Sequence, residues 1–294
     1  MRHRRWRDSG LALLMLGPSI VILGWFVVYP LVKAMFLGTQ RCSPSGGCPV
    51  HGGLQQYVDA FTSSQFQDAL IVTLKYALIT VPIGLGLGLA LAVLADKYIR
   101  GVGIFRTIFS STVATSVAVS SVMWFFLLNP NVGVLADLFG GVAKTPGLLQ
   151  NQGTALWSVS ASSIWANLGF TFIVITAGLQ SVPKDLYESA YVDGANGFGR
   201  FTNVTLPLIS PVLLFVTVVL TARAFESFAE IDLLTQGGPK GATTTVTYLA
   251  FGRGLATSSD DGLRSTVSVL VFFVLLILAL VQFRGLEKRV HYGN

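Results

Sequence analysis

The chain has 294 residues, 52% of them hydrophobic and only 12% charged, with a mean hydropathy of +0.65. Soluble domains carry about 25% charged residues, so this composition excludes a soluble globular protein and predicts an all-α polytopic membrane protein. The formal net charge of +6 is distributed along the loops and accompanies no nucleic-acid motif, which argues against a nucleic-acid partner.

A membrane span needs about 20 mostly apolar residues. Six stretches qualify: residues 10–37, 66–95, 104–128, 154–180, 207–231 and 263–284. The first follows Arg2, Arg4, Arg5 and Arg7. It has a basic start like a signal peptide, but no small-x-small cleavage site follows promptly, so it is expected to stay as an uncleaved helix. Pro18 and Pro30 predict a kink or a break in it. The loop after it, 38–65, is rich in Gly, Pro, Ser and Gln. There Cys42 and Cys48 flank a Pro- and Gly-containing turn, and outside the cytoplasm a disulfide is allowed; a bridge and two free thiols both fit. In the second span Lys75 is expected to snorkel outward. The run Gly84-Leu85-Gly86-Leu87-Gly88 suits close helix approach.

The third span carries Ser110, Ser111, Thr112, Thr115, Ser116, Ser120 and Ser121. These hydroxyls serve either as helix–helix glue or as the lining of a polar pathway. Trp157 and Trp165 in the fourth span read as interfacial anchors. Arg223 lies well inside the fifth, where an arginine must face the bundle or water. Glu226 shares its face and Glu230 follows one turn on. Either Arg223 and Glu226 form a self-contained pair, the arginine snorkels outward, or Arg223 meets an anionic substrate on a translocation path. Lys97, Arg100 and Arg106, then Lys184 and Arg200, then Arg284, Lys288 and Arg289 crowd alternate loops, while the opposite loops are poorer in cations. Positive residues stay inside, so both termini and the 181–206 loop are expected to be cytoplasmic.

That loop is a polar island between apolar runs. Pro183 is expected in a first helical turn with Ser181 as its cap. Asp185 and Glu188 suit the positive end of the helix dipole. Gly194 permits a left-handed turn, and a second short helix is expected to stop at Pro207, with Pro207 and Pro211 starting the next span. An ordered helix–turn–helix here points to a docked soluble partner; the plainer alternative is a solvated connection.

The pattern Glu188-x-Ala190-x-x-Asp193-Gly194-Ala195, with Leu206-Pro207 after a spacer, resembles the EAA loop of permease subunits of ATP-binding-cassette importers. Ser189 stands where the family usually has Ala. Leu128-Asn129-Pro130, Gly237-Gly238-Pro239 with Thr243-Thr244-Thr245, and Val281-Gln282-Phe283-Arg284 extend the resemblance over nearly the whole chain. They are most similar to the sugar-type permeases, and among those to first permeases of sn-glycerol-3-phosphate uptake systems. The resemblance implies one type I importer transmembrane domain over residues 1–294, with six helices and a cytoplasmic coupling helix, in the bacterial inner membrane. It implies coupling roles for Glu188, Ser189, Ala190, Asp193, Gly194, Ala195, Phe201, Leu206 and Pro207. It implies as partners a second homologous permease, two cytoplasmic ATPase subunits, an extracytoplasmic substrate-binding protein and membrane lipid. The cargo it implies is sn-glycerol-3-phosphate, a glycerophosphodiester or a related small carbohydrate; the alternative is a neutral sugar or oligosaccharide. Arg223, Glu226 and Glu230 are the pathway candidates.

No catalytic residue and no cofactor of this chain's own is expected. A phosphate-binding Gly-x-x-x-x-Gly-Lys-[Ser/Thr] loop is missing, and Gly238-Pro239-Lys240-Gly241 has the wrong spacing. ATP and Mg are therefore expected on the partner ATPase. His3, His51 and His291 have no metal-binding spacing. A polytopic membrane enzyme would need a nucleophile or metal set beside Glu226, Glu230 and Asp232, and an ion-coupled transporter would usually show inverted repeats; neither is evident.

Overall fold

The computed structural model describes residues 14–41, 50–96, 101–131, 133–135, 147–251 and 261–287. Helix α1 (Leu14–Leu37) leads into an antiparallel pair, β1 (Gln40–Arg41) and β2 (Val50–His51), then α2 (Gln55–Thr62) and the long α3 (Ser64–Ala95). Next, α4 (Val102–Ala114) and α5 (Val117–Leu128) meet at a bend of 105°. Helix α6 (Ala155–Gln180) continues through α7 (Lys184–Val192) to α8 (Gly197–Leu208), which joins α9 (Ser210–Glu226) at 67°. Short helices α10 (Ala229–Leu234) and α11 (Val246–Phe251) precede α12 (Asp261–Glu287). Among the described residues four helices, α1, α3, α6 and α12, are long and apolar enough to cross a membrane; counting each bent pair as one span gives up to six.

Two expected spans are not continuous helices. Residues 104–128 break at Thr115 and Ser116, where Ser116 is extended (ψ 148°) and its Oγ accepts from Val119 N at 3.3 Å. A serine hydroxyl that captures an N–H at a new helix start competes with helix continuation. Residues 207–231 divide likewise: α9 ends at Glu226, Ser227 is extended (ψ 113°), and α10 begins at Ala229. At the other end Pro207 does not stop the preceding helix. It sits in the first turn of a helical segment after a wider π turn, Phe201–Thr205, and the bend comes at Ile209. Pro211 occupies the first turn of α9, where its missing N–H costs nothing. In α1 the break expected from Pro30 is a π turn, Gly24–Val28, just before it, and the helix continues.

The centre is the packing of α3 on α6, with α9 against both. Small residues set the spacing. A Cβ on Gly88 would lie 2.2 Å from Thr171 Cγ2, one on Gly169 2.3 Å from Thr112 Oγ1, and one on Gly178 3.0 Å from Val212. In the glycine run of α3 only Gly88 makes such a contact; Gly84 has Leu220 at 3.8 Å and Gly86 faces open space. Tyr76, Phe66, Phe172, Ile175 and Phe225 fill the interior. Arg106 donates from Nε and Nη2 to Ala95 O at 3.2 and 2.8 Å, placing a cation at the negative C-terminus of α3. Outward faces are apolar: on α1 Trp25 and Phe26 are 69% and 71% exposed, as suits a surface covered by lipid.

Candidate functional site

Two regions carry the residues of interest. The first is the loop from α6 to α9. Pro183, extended at ψ 132°, is the N-cap of α7 rather than a first-turn residue, and no side chain caps that end. Ser181 does not serve as the cap; its Oγ donates to Gly178 O at 2.7 Å, at the end of α6. Asp185 lies in the first turn. The C-terminus of α7 explains the motif spacing. Gly194 adopts φ +79°, its N–H reaches Tyr191 O at 3.0 Å, and Ala195 N reaches Ala190 O at 2.9 Å. This paired arrangement is a Schellman cap, which needs a residue free to take the left-handed conformation after the helix. Ala190, Gly194 and Ala195 thus fill three positions of one backbone device.

Asn196 restarts the chain as N-cap of α8, its Oδ1 accepting from Gly199 N at 2.7 Å. Tyr187 Oη and Thr205 Oγ1, 3.0 Å apart, tie α7 to α8. The outward side carries Leu186, Tyr191, Val192 and Phe198, the last three 70%, 85% and 76% exposed. Glu188, Ser189, Asp193 and Gly194 are exposed beside them; Phe201, Leu206 and Pro207 are half-buried toward the bundle.

The second region is a cleft of about 590 Å³ whose lining includes Thr115, Ser116, Asn167, Phe170, Arg223, Glu226, Ser227 and Glu230. Both interrupted helices open onto it, at Ser116 and at Ser227. Non-helical backbone at membrane depth is tolerated where it lines such a cavity. The freed carbonyls at the end of α9 find partners on α11 and the segment before it: Thr247 Oγ1 donates to Phe225 O, and Thr245 Oγ1 donates to Ser227 O at 3.2 Å. Thr243 and Thr244 bond Gly238 O and Gly237 O at 2.8 and 3.0 Å, so the threonine run ties the loop together.

Arg223 faces the cleft. Its Nη1 donates to Asn167 Oδ1 at 2.6 Å and its Cζ lies 4.4 Å from the Phe170 ring centroid. The pair with Glu226, one of the alternatives the sequence leaves open, does not form: the ion pairs among the described residues are Arg41–Asp59 and Arg264–Asp261. Glu230 turns inward and is 8% exposed, accepting from Ser227 Oγ at 3.1 Å. Sequence reasoning missed Asn167; an amide at the middle of the fourth span was the available signal. Cys42 and Cys48 lie outside the described residues; β1 and β2, on either side of them, pair with Gln40 opposite His51. No group of three or more potential metal ligands occurs among the described residues.

Residues 58–292 match the family model described as binding-protein-dependent transport system inner membrane component. The sn-glycerol-3-phosphate transport system permease protein UgpA of Salmonella typhimurium is 35% identical over 288 residues, 98% of this chain and 97% of that protein. The protein of the same name from Escherichia coli strain UTI89 is 33% identical over the same shares. Among solved structures, a chain of a bacterial ABC transporter involved in import of the acidic polysaccharide alginate superposes with a TM-score of 0.80 at 24% identity, covering 97% of this chain and 99% of that one. The bacterial alginate ABC transporter in complex with an alginate pentasaccharide-bound periplasmic protein gives 0.79 at 22% identity, covering 96% and 95%. The chain therefore belongs to the binding-protein-dependent transport system inner membrane components, as a non-catalytic permease subunit of an ABC importer.

Proposed function

We propose that this chain supplies half of the translocation pathway for sn-glycerol-3-phosphate or a closely related glycerophosphodiester. The observation that carries this reading is Arg223, a cation in the cleft held by a neutral amide and an aromatic face instead of a carboxylate. A guanidinium with unused donors suits a phosphate group. The relatives named for sn-glycerol-3-phosphate and the structural neighbours importing an acidic polysaccharide handle anions too. Glu226, Ser116 and Thr115, on the same cleft, offer partners for hydroxyl groups; these alone favour the second reading, a neutral sugar or oligosaccharide.

The exposed loop around α7 is the docking element in this reading, with Glu188, Ser189, Ala190, Asp193, Gly194 and Ala195 meeting a cytoplasmic ATPase subunit while Phe201, Leu206 and Pro207 carry its movement into the bundle. ATP and Mg belong to two such partner subunits. A second homologous permease completes the pathway, an extracytoplasmic binding protein delivers cargo, and both termini of this chain face the cytoplasm. Uptake of radiolabelled sn-glycerol-3-phosphate by proteoliposomes holding the complex and its binding protein tests the cargo. Arg223→Ala should lower that uptake about tenfold or more, the scale of a lost charged hydrogen bond. Unchanged uptake at equal amounts of complex would reject the anion reading.

A further inference from the structure

The arginine of the cleft is the end of a short run of polar side chains on α6. Arg223 Nη1 donates to Asn167 Oδ1 at 2.6 Å. Asn167 Nδ2 donates to Ser163 O at 2.9 Å and reaches Ser163 Oγ at 3.4 Å. Separately, Tyr76 Oη lies 3.4 Å from Ser227 Oγ, and Ser227 Oγ donates to Glu230 Oε2 at 3.1 Å. Ser163, Tyr76, Ser227 and Glu230 are all buried, whereas Arg223 is exposed to the cleft. The first set joins α9 to α6, and the second joins α3 to the break between α9 and α10.

The amide of Asn167 has one workable orientation. A backbone carbonyl only accepts, so the nitrogen must face Ser163 O, which leaves the oxygen for Arg223. That oxygen takes one of the five guanidinium donors, and Phe170 covers one face of the plane. A carboxylate in the same place would hold the guanidinium as firmly but would cancel its charge. An amide holds it and leaves the charge available.

We propose that Asn167 is the positioning residue of this site. It holds Arg223 toward the cleft with no carboxylate on the guanidinium itself, so that the remaining donors take a phosphate-class anion, while Ser163 fixes the amide from behind. This rests on the reading of Arg223 as the anion contact.

The test is uptake of radiolabelled sn-glycerol-3-phosphate by the reconstituted complex with its binding protein, for Asn167→Ala, Asn167→Asp, Arg223→Ala and the double variant Asn167→Ala/Arg223→Ala. Asn167→Ala should lower the maximal rate about tenfold while leaving the half-saturating concentration of liganded binding protein unchanged. Asn167→Asp keeps the shape of the side chain, so it tests the idea even where the alanine variant does not assemble; by supplying a counter-charge it should lower uptake at least as far. The double variant should be no slower than Arg223→Ala alone, because Asn167 acts through the arginine. Effects that multiply in the double variant, or normal uptake by Asn167→Asp, would overturn the proposal. Normal uptake by Asn167→Ala beside an impaired Arg223→Ala would sink the positioning role and leave the anion contact standing. Normal uptake by Arg223→Ala would remove both.

Discussion

The exposed loop around α7 and the cleft around Arg223 are built in opposite ways. The loop is a local structure: its caps, its left-handed glycine and its tie from Tyr187 to Thr205 all lie between residues 183 and 205. The cleft is assembled from distant segments, and the partners Arg223 and Asn167 are 56 positions apart in sequence. A local device tolerates changes in the rest of the bundle and presents a fixed shape to a partner. An assembled cavity depends on how several helices sit against one another, which is the property a substrate path that must open and close requires.

The contrast breaks most sharply at Gly194. Its φ of +79° is closed to proline, which also lacks the N–H that reaches Tyr191 O. Gly194→Pro should abolish coupled uptake while the protein still inserts in the membrane; normal uptake would remove the loop from the coupling role. Gly88→Val attacks the scaffold of the cleft, since its Cβ would meet Thr171 Cγ2 at 2.2 Å. It should destabilise the bundle by about 1–3 kcal/mol, seen as a lower melting temperature of the detergent-solubilised complex, with the loop itself untouched. Ser116→Ala removes the cap of α5 and should cost about 1 kcal/mol. Because Ser116 lines the cleft, uptake should fall along with thermal stability; a loss of stability with unchanged uptake would make the break purely architectural. The smallest effect is expected for Tyr187→Phe, which deletes one hydrogen bond to Thr205, worth about 0.5–1.5 kcal/mol. The readout there is transport per ATP hydrolysed, which should drop if the two short helices must move together.

The same contrast explains what could be read from the sequence. Apolar stretches long enough to span were visible in composition, and the polar island was visible because its punctuation is local: Gly194 sits where a left-handed residue is needed. Pro183 sits one position before its expected place and Ser181 closes α6 instead of capping α7, a slip that comes from placing a helix start by residue type alone. The break at Ser116 was hidden because a serine that glues helices looks the same in sequence as one that caps a new helix, and at Ser227 the flanking charges Arg223, Glu226 and Glu230 read as pathway candidates rather than as a helix end. Arg223 stood out as a charge in an apolar run. Its partner did not, because Glu226 was the nearest opposite charge along the helix and Asn167 comes close only through packing of α6 on α9.

The 67° elbow at Ile209 has a mechanical consequence. It joins the loop-bearing α8 directly to α9, and Ile209 itself is only 1% exposed, so the pivot is gripped by the core. From Ser210 to Arg223 the helix is roughly 20 Å long at about 1.5 Å per residue. A stiff arm of that length turns a rotation of about 10° at the pivot into a displacement of about 3.5 Å at the guanidinium, more than a hydrogen bond's reach. A small swing at the loop-bearing end is therefore enough to make or break a contact at the guanidinium.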